Sequence, residues 1–321
     1  MGEFELIRHY FAAAPCAQGG EAVALGIGDD CALLSVAAGE QLAISTDTLV
    51  AGVHFPAVCD PFLLGQRSLA VAASDLAAMG ATPIGFTLAL TLPDVQADWL
   101  QAYARGLNQM AQACRLSLIG GDTTRGPLSL TMTVFGRVPQ GLALTRSGAR
   151  AGDLLCVGGE LGNAAGALPL VLAERQAEPD VAEPLLAHYW LPSPQFALGQ
   201  ALRGKATSAL DISDGLLADC GHIAKASQVA LQVELERLPV SGALQAFLGH
   251  EGARQAALAG GDDYVLAFTL PEAQLAPLQA AGWPVHVIGR VASGAGVSLV
   301  DGQGRDITPV TRGYQHFREQ P

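Results

Sequence analysis

Aspartates recur beside glycine and hydroxyl residues where apolar segments end. The strings are Gly28-Asp29-Asp30, Ser45-Thr46-Asp47, Ser74-Asp75, Gly121-Asp122, Asp211-Ile212-Ser213-Asp214 and Gly261-Asp262-Asp263. A single Asp at such a place is ordinarily an Asx-turn or a helix N-cap. Its recurrence with the same kinds of neighbour points instead to a shared site, since loops at strand ends are where sites are commonly built. If these carboxylates converge, their mutual repulsion requires cations between them. Oxygen-only ligands select hard divalent ions, Mg²⁺ above all when phosphates share the site. Ser45 and Thr46 could add neutral oxygens beside Asp47. The histidines are dispersed and no His/Cys cluster favours zinc or iron; His54 stands out because it closely follows the Thr46-Asp47-Thr48 string.

Carboxylates with a divalent ion and glycine-rich strings point to phosphate chemistry. Gly120-Gly121-Asp122-Thr123-Thr124-Arg125-Gly126 has the elements for it. The glycines allow close backbone approach, the Asp can hold a metal, and the hydroxyls and Arg125 can meet phosphate oxygens. Arg146, in Thr145-Arg146-Ser147-Gly148, is a second candidate phosphate ligand. Gly199 to Ala206 nearly matches the phosphate-binding G-x-x-x-x-G-K-[ST] loop, but Ala206 replaces the hydroxyl and the preceding residues look helical rather than extended. It is read as a decoy.

The elements that must position these residues follow from periodicity. Strands are predicted over Gln41 to Ser45, Ile84 to Leu92, Leu128 to Val138, Leu154 to Val157, Ala206 to Ile212, Val229 to Leu235, Tyr264 to Leu270 and Val285 to Val291. Helices are predicted over Pro61 to Met79, over Asp98 to Leu116 with Asp98 as N-cap, over Asn163 to Glu174 and over Leu216 to Ser227. The stretch Pro139 to Asp153 is rich in Gly, Arg and Ser and reads as a boundary, giving domains 1–138 and 139–321. The mixture suggests two α+β domains rather than one doubly wound sheet. A weak internal echo agrees with two similar modules: Asp75 precedes Asp122 by 122 − 75 = 47 residues, and Asp214 precedes Asp262 by 262 − 214 = 48.

Composition sets limits on function. At 321 residues, half of them hydrophobic and 15% charged, the chain is neither disordered nor fibrous and can hold two domains of ordinary size. The charge balance of 18 basic against 30 acidic residues gives −12, and the only lysines are Lys205 and Lys225. Without a basic patch to neutralise phosphates, nucleic acid is a poor partner. The apolar runs break before the 18 or so residues that a membrane span needs. Met1-Gly2-Glu3-Phe4-Glu5 lacks the layout of a signal peptide, so the chain reads as cytoplasmic. The six cysteines form no C-x-x-C pair and read mostly as buried free thiols.

Taken together and in order, Gly26-Ile27-Gly28-Asp29-Asp30-Cys31-Ala32, Ser45-Thr46-Asp47-Thr48-Leu49, Ser74 to Ala81, Gly120 to Thr124, Leu210 to Gly215 and Gly261-Asp262-Asp263-Tyr264 resemble the thiamine-monophosphate kinase family, within the aminoimidazole-ribotide synthetase-like superfamily. The resemblance runs from Glu3-Phe4 to Gly313-Tyr314. It implies two α+β domains, an N-terminal one that binds ATP and metal and makes a homodimer through its sheet, and an active site in the cleft between domains. It implies transfer of a phosphoryl group from ATP to thiamine phosphate with several Mg²⁺ ions. By position it implies metal ligands at Asp30, Ser45, Thr46, Asp47, Asp75, Asp122, Asp211 and Asp214; nucleotide contacts at Gly121, Asp122, Arg146 and Ser213; and substrate contacts at His54, Asp262 and Tyr314. No catalytic acid or base is implied. The family string G-G-E-D-Y-E departs here to Gly260-Gly261-Asp262-Asp263-Tyr264-Val265, so the contact at 262 has one methylene less to reach with. Two other readings stay open: a related enzyme that activates a carbonyl or amide oxygen with ATP, and a non-catalytic nucleotide- or metal-sensing module.

Overall fold

The computed structural model describes residues 3–28, 31–309 and Gly313. The chain forms two compact units, Met1–Leu76 with Ala81–Ala143, and Ala77–Gly80 with Leu144–Pro321.

The first unit runs α1 (Glu3–Leu6), a π-helical stretch (Ile7–Ala12), β1 (Val23–Leu25), β2 (Leu33–Leu34), β3 (Glu40–Val50), α2 (Pro61–Ala78), β4 (Thr82–Leu92), α3 (Ala97–Cys114), β5 (Ser117–Arg125) and β6 (Ser129–Pro139). Four strands make one sheet in the order β3-β6-β4-β5, with β4–β5 the parallel pair. Alternation gives the sheet two unlike faces. Phe86, Leu88, Leu90 and Leu92 of β4 and Leu130, Met132 and Val134 of β6 are buried together. On the opposite face β3 shows Leu42 and Ile44, 40% and 58% exposed, followed by Thr46 and Thr48.

Helix α3 buries Leu100, Tyr103, Leu107, Met110, Ala111 and Cys114 at helical spacing. Each large side chain so buried contributes roughly 1.5–3 kcal/mol. Helices α2 and α3 touch backbone to backbone where Gly65 and Gly106 lie, since a Cβ on Gly106 would collide with the Phe62 carbonyl. Asp98 lies in the first turn of α3; the N-cap is Gln96, with no side-chain cap, which corrects the sequence expectation.

The second unit carries a six-stranded sheet of β7 (Leu154–Val157), β8 (Ser208–Asp211), β9 (Ala230–Glu234), β10 (Leu266–Leu270), β11 (His286–Ala292) and β12 (Gly296–Val300), ordered β12-β9-β11-β7-β10-β8. Its helices are α4 (Asn163–Val171), α5 (Pro179–Trp190), α6 (Phe196–Leu202), α7 (Leu216–Ser227), α8 (Gly242–Ala259) and α9 (Leu275–Ala280). Leu155 and Val157 pack in one apolar cluster with Leu217, Cys220 and Ile223 of α7. Leu154 and Cys156 pack in another with Leu198 and Leu202 of α6. Both faces are covered, so β7 reads as an unbroken apolar run.

The mixed α+β class of both units agrees with the expectation. Helices α1, α5, α8 and α9 were absent from it. Helix α5 opens on Pro179 and contains Pro184, and its sequence reads as a proline-broken polar stretch. Helix α8 is interrupted at Gly249 (φ 72°), which breaks its periodicity. Among the described residues no helix is long and apolar enough to cross a membrane. All six cysteines are free: Cys16, Cys114, Cys156 and Cys220 are buried, Cys59 is half-buried and Cys31 is exposed.

Candidate active site

Of the five strings whose aspartates are described, only the two of the second unit sit in turns or loops, against the expectation. Strand β3 continues through Ser45-Thr46-Asp47-Thr48 to Val50, because the alternating Thr residues pair across to β6. Thr46 Oγ1 lies 3.0 Å from Thr133 Oγ1, and Thr48 Oγ1 lies 2.9 Å from Thr131 Oγ1. Such β-branched cross-strand pairs stabilise a sheet. Ser45 and Asp47 therefore share the face opposite Thr46. On that face Ser45 Oγ donates to Asp75 Oδ2, and Asp75 lies on α2 near its C-terminal end. Burial and then the Asp75 charge push the Asp47 carboxyl up to about 6. Two carboxylates and a hydroxyl, with one carboxylate resisting ionisation, form a donor set that a hard cation would relieve. Thr46 differs: its hydroxyl is committed to the other face.

His54 follows β3 and is half-buried. Its Nδ1 accepts the Val50 N–H at 3.0 Å, so the proton of the neutral ring belongs on Nε2. This turn fixes the ring beside the end of the strand that carries Asp47.

The Gly120-Gly121-Asp122-Thr123-Thr124 string lies inside β5 and is not a turn. Its register against β4 slips by one residue: Phe86 pairs with Leu118, and Thr87 with Gly120, leaving Ile119 as a bulge. Beyond the bulge Leu88 pairs with Gly121 and Ala89 with Asp122. A side chain at Gly121 would run into the Leu88 carbonyl, so only Gly permits this pairing. A cavity of about 700 Å³ opens here, lined by Ile7, Phe11, Ile27, Leu118 and Ile119 and by the backbone from Gly120 to Thr123. An apolar wall meeting a glycine backbone and one carboxylate suits a flat ring joined to phosphates.

Asp122 is exposed, and its Oδ1 accepts only a local bond here, from the Thr123 N–H at 2.9 Å. It does not meet Asp47 within one chain. Asp47 is in register with Met132, Met132 with Leu88, and Leu88 with Gly121. Asp122 thus stands on the opposite face, three strand spacings away, roughly 14 Å. Among the described residues no group of three or more His, Cys, Asp or Glu lies close enough to hold a metal. Asp30 and Tyr314 lie outside the described residues.

In the second unit the two remaining strings do converge. Strand β8 ends at Asp211, which pairs with Leu266 of β10. The Asp262 N–H donates to Ser213 O at 2.9 Å, and the Tyr264 N–H to Ile212 O at 2.8 Å. Ser213 is exposed and Asp214 half-buried, while Asp211 is buried. Gly313 also rests here, its α-carbon facing the Asp214 carbonyl. Arg146 is exposed on the loop before β7, and its carbonyl accepts from Ser227 Oγ at 3.0 Å.

Two further aspartates shape this hub. Asp219, on α7 and 4% exposed, accepts the N–H groups of Ser213, Asp214 and Gly215 with one oxygen, at 3.0, 3.0 and 3.1 Å. Burial pushes its carboxyl up to about 6 against those bonds. Asp263 takes the Gly162 N–H with both oxygens, at 2.9 and 2.8 Å, and so caps α4 from 101 residues away. Burial raises Asp263 to about 8, with the Asp262 charge adding to the rise. Asp263 stood in an acidic string without an assigned role; the structure gives it a helix to cap. Asp219 belonged to no string, and the spacing Ser213-x-x-x-x-x-Asp219 carried no turn signal. Asp262 adopts a left-handed backbone (φ 69°), as does Tyr264 (φ 51°). The Tyr264 hydroxyl donates to Asp262 Oδ1 at 2.9 Å. Non-glycine residues held so are commonly found at ligand clamps.

Fold and site together define a class. Residues 28–138 match the family described as AIR synthase related protein, N-terminal domain, and residues 150–302 match AIR synthase related protein, C-terminal domain. Within that class, thiamine-monophosphate kinase of Escherichia coli K12 is 46% identical over 98% of both chains. The crystal structure of thiamine-monophosphate kinase from Stenotrophomonas maltophilia K279a is 46% identical, with a TM-score of 0.82 over 87% of this chain and 91% of that one. A second structure, AaThiL complexed with AMPPCP and TMP, is 29% identical with a TM-score of 0.80 over 91% of this chain and 92% of that one. The chain belongs to the thiamine-monophosphate kinase family.

Proposed function

We propose that this protein transfers the γ-phosphoryl group of ATP to thiamine phosphate, giving ADP and thiamine diphosphate. The observation that carries the reading is the near-full-length match, through both units, to thiamine-monophosphate kinases. The cavity against Gly120 to Thr123 supports it, because it offers an apolar wall and a glycine backbone to a nucleotide. Both reactants are anions, so repulsion as well as geometry opposes the reaction. The acceptor is a phosphate monoester, whose second pKa near 6 leaves it largely dianionic at neutral pH. It needs no general base. Positioning and charge stabilisation then supply the catalysis, and transfer is direct and in line, with no phosphoenzyme.

The donor set of Asp47, Asp75 and Ser45 fits Mg²⁺, with Asp30 adjoining in the sequence reading. When bound, such ions neutralise the phosphates and align them. In the second unit Asp211, Ser213 and Asp214 offer metal and nucleotide contacts from one turn, and Arg146 a phosphate contact. Thr46 remains a candidate through its backbone. His54, Asp262 and Tyr314 are assigned to thiamine phosphate.

The partner of the first unit's sheet is a second copy of the chain. Its outer face presents Leu42 and Ile44 to solvent, and Asp122 shares that face. A homodimer through this face would carry Asp122 toward the second copy, which accounts for its separation from Asp47. Neither nucleic acid nor membrane is a partner, and the cytoplasm is the compartment assigned.

Phosphorus NMR of the protein with ATP, Mg²⁺ and thiamine phosphate tests the reading. The expected spectrum gains ADP and a diphosphate ester in equal amounts. ADP with inorganic phosphate, or no turnover, would overturn it in favour of an ATPase-type relative or a sensor.

A further inference from the structure

The geometry points to Asp219 as the positioning residue of the second unit's ligand turn: its buried carboxylate holds Ser213 and Asp214 in the conformation that presents them. One oxygen accepts three successive backbone N–H groups, those of Ser213, Asp214 and Gly215. Three converging donors on one anion curl a backbone into a concave arc. Charge-assisted bonds of this kind are short and strong. On this arc Ser213 is exposed and Asp214 half-buried. Gly215 (φ 121°) closes the arc where any Cβ would strike the Ala259 backbone. Helix α7 supplies the anchor, with Leu216, Leu217 and Cys220 packed in the core on either side of Asp219.

The consequence reaches the neighbouring string. Ser213 O accepts the Asp262 N–H, so the loop carrying Asp262 rests on the turn that Asp219 holds. A change at Asp219 therefore disturbs Ser213 and Asp214 first, and Asp262 through them. Asp219 itself touches neither nucleotide nor metal in this scheme; it acts by accepting N–H groups, a task that an amide oxygen can share.

The inference rests on Ser213 and Asp214 being nucleotide and metal contacts, and the experiment separates the two. Half-saturating Mg²⁺ and KM for ATP are measured for Asp219→Ala, Asp219→Asn, Asp214→Asn and Ser213→Ala. Asp219→Ala is expected to raise both parameters by about tenfold or more, the scale of losing hydrogen bonds to a charged group. Asp219→Asn, which keeps an acceptor, is expected to stay within about threefold. Amide hydrogen exchange on the unaltered protein, free of nucleotide, reads the same arc directly: Ser213, Asp214 and Gly215 should exchange slowly. Rapid exchange at all three overturns the inference even if Asp219→Ala does not fold. Asp219→Ala at unaltered Mg²⁺ and ATP parameters, beside an impaired Asp214→Asn, also overturns it. Equal damage from Asp219→Asn and Asp219→Ala makes Asp219 a direct ligand and overturns it too. If Asp214→Asn and Ser213→Ala bind Mg²⁺ and ATP normally, the site assignment fails instead, whatever the exchange rates show.

Discussion

The two units place their aspartates by opposite means. In the first, Asp47, Asp75 and Asp122 belong to regular elements, and strand register and helix phase decide where they point. In the second, Asp214 and Asp262 belong to loops, and other aspartates hold those loops: Asp219 under the turn and Asp263 against Gly162. Among the described residues, the first unit uses all its motif carboxylates, Asp47, Asp75 and Asp122, as candidate ligands. The other divides them between those offered outward and those spent on backbone N–H groups. An aspartate-rich motif therefore has two meanings, and the local string does not say which applies.

The largest expected effect breaks the comparison on the first unit's side. Asp47→Asn and Asp122→Asn should each lower turnover by about 10²-fold or more, since each removes charge from a metal and phosphate clamp. Circular dichroism should show both folded. Mixing the two inactive variants sharpens the point. If a second copy brings Asp122 to Asp47, a mixed dimer has one intact pair and regains activity; a mixture as dead as its parents would place both residues in one chain's site.

Next in size is the substrate loop. Asp262→Ala should weaken thiamine phosphate binding by about 1–3 kcal/mol, the cost of losing a hydrogen bond to a charged group. Asp262→Glu should shift KM for thiamine phosphate and leave KM for ATP nearly unchanged. A shift confined to ATP would show that the residue serves the nucleotide.

Asp263 gives a smaller, pH-dependent signal. Its carboxyl titrates near 8 in the folded chain, well above its unfolded value near 4. Between those values the native state holds the proton more tightly than the unfolded state. Its contribution to stability is thus full below about pH 4 and declines as pH rises to about 8. The thermal midpoint should fall over that range, and Asp263→Asn should flatten the slope. An unchanged slope would deny the carboxyl its raised pKa.

The smallest expected effect is at Thr46. Its hydroxyl faces Thr133, away from Asp75, so Thr46→Val should leave turnover within about threefold, as for a substitution away from the site. Ser45→Ala, one residue earlier, removes the bond to Asp75 and should cost more.

Much of this was legible in the sequence. Order and spacing of the acidic strings located both halves of the candidate site, and apolar periodicity located most strands and the long helices α2 and α3, but not α8. The rest depended on contacts between distant residues. Thr46 and Thr48 read as the end of a strand because their partners, Thr133 and Thr131, lie more than 80 positions away. The string Gly261-Asp262-Asp263 could not show that Asp263 is a cap, because Gly162, which it caps, is 101 residues distant. Asp219 carried no mark at all, since a helix residue that binds the preceding turn looks like any first-turn Asp.

Ile119 holds one more consequence. Side chains on a strand obey an odd–even rule, and the bulge at Ile119 breaks it once. Were Ile119 kept but paired in regular register, Asp122 would pair with Leu90 and turn inward, onto the face shared by Asp47 and the apolar core. The information that sends this carboxylate outward is thus a matter of counting rather than chemistry. Any substitution at Ile119 that preserves length preserves the address of Asp122. Deleting Ile119 closes the bulge and still leaves Asp122 opposite Ala89.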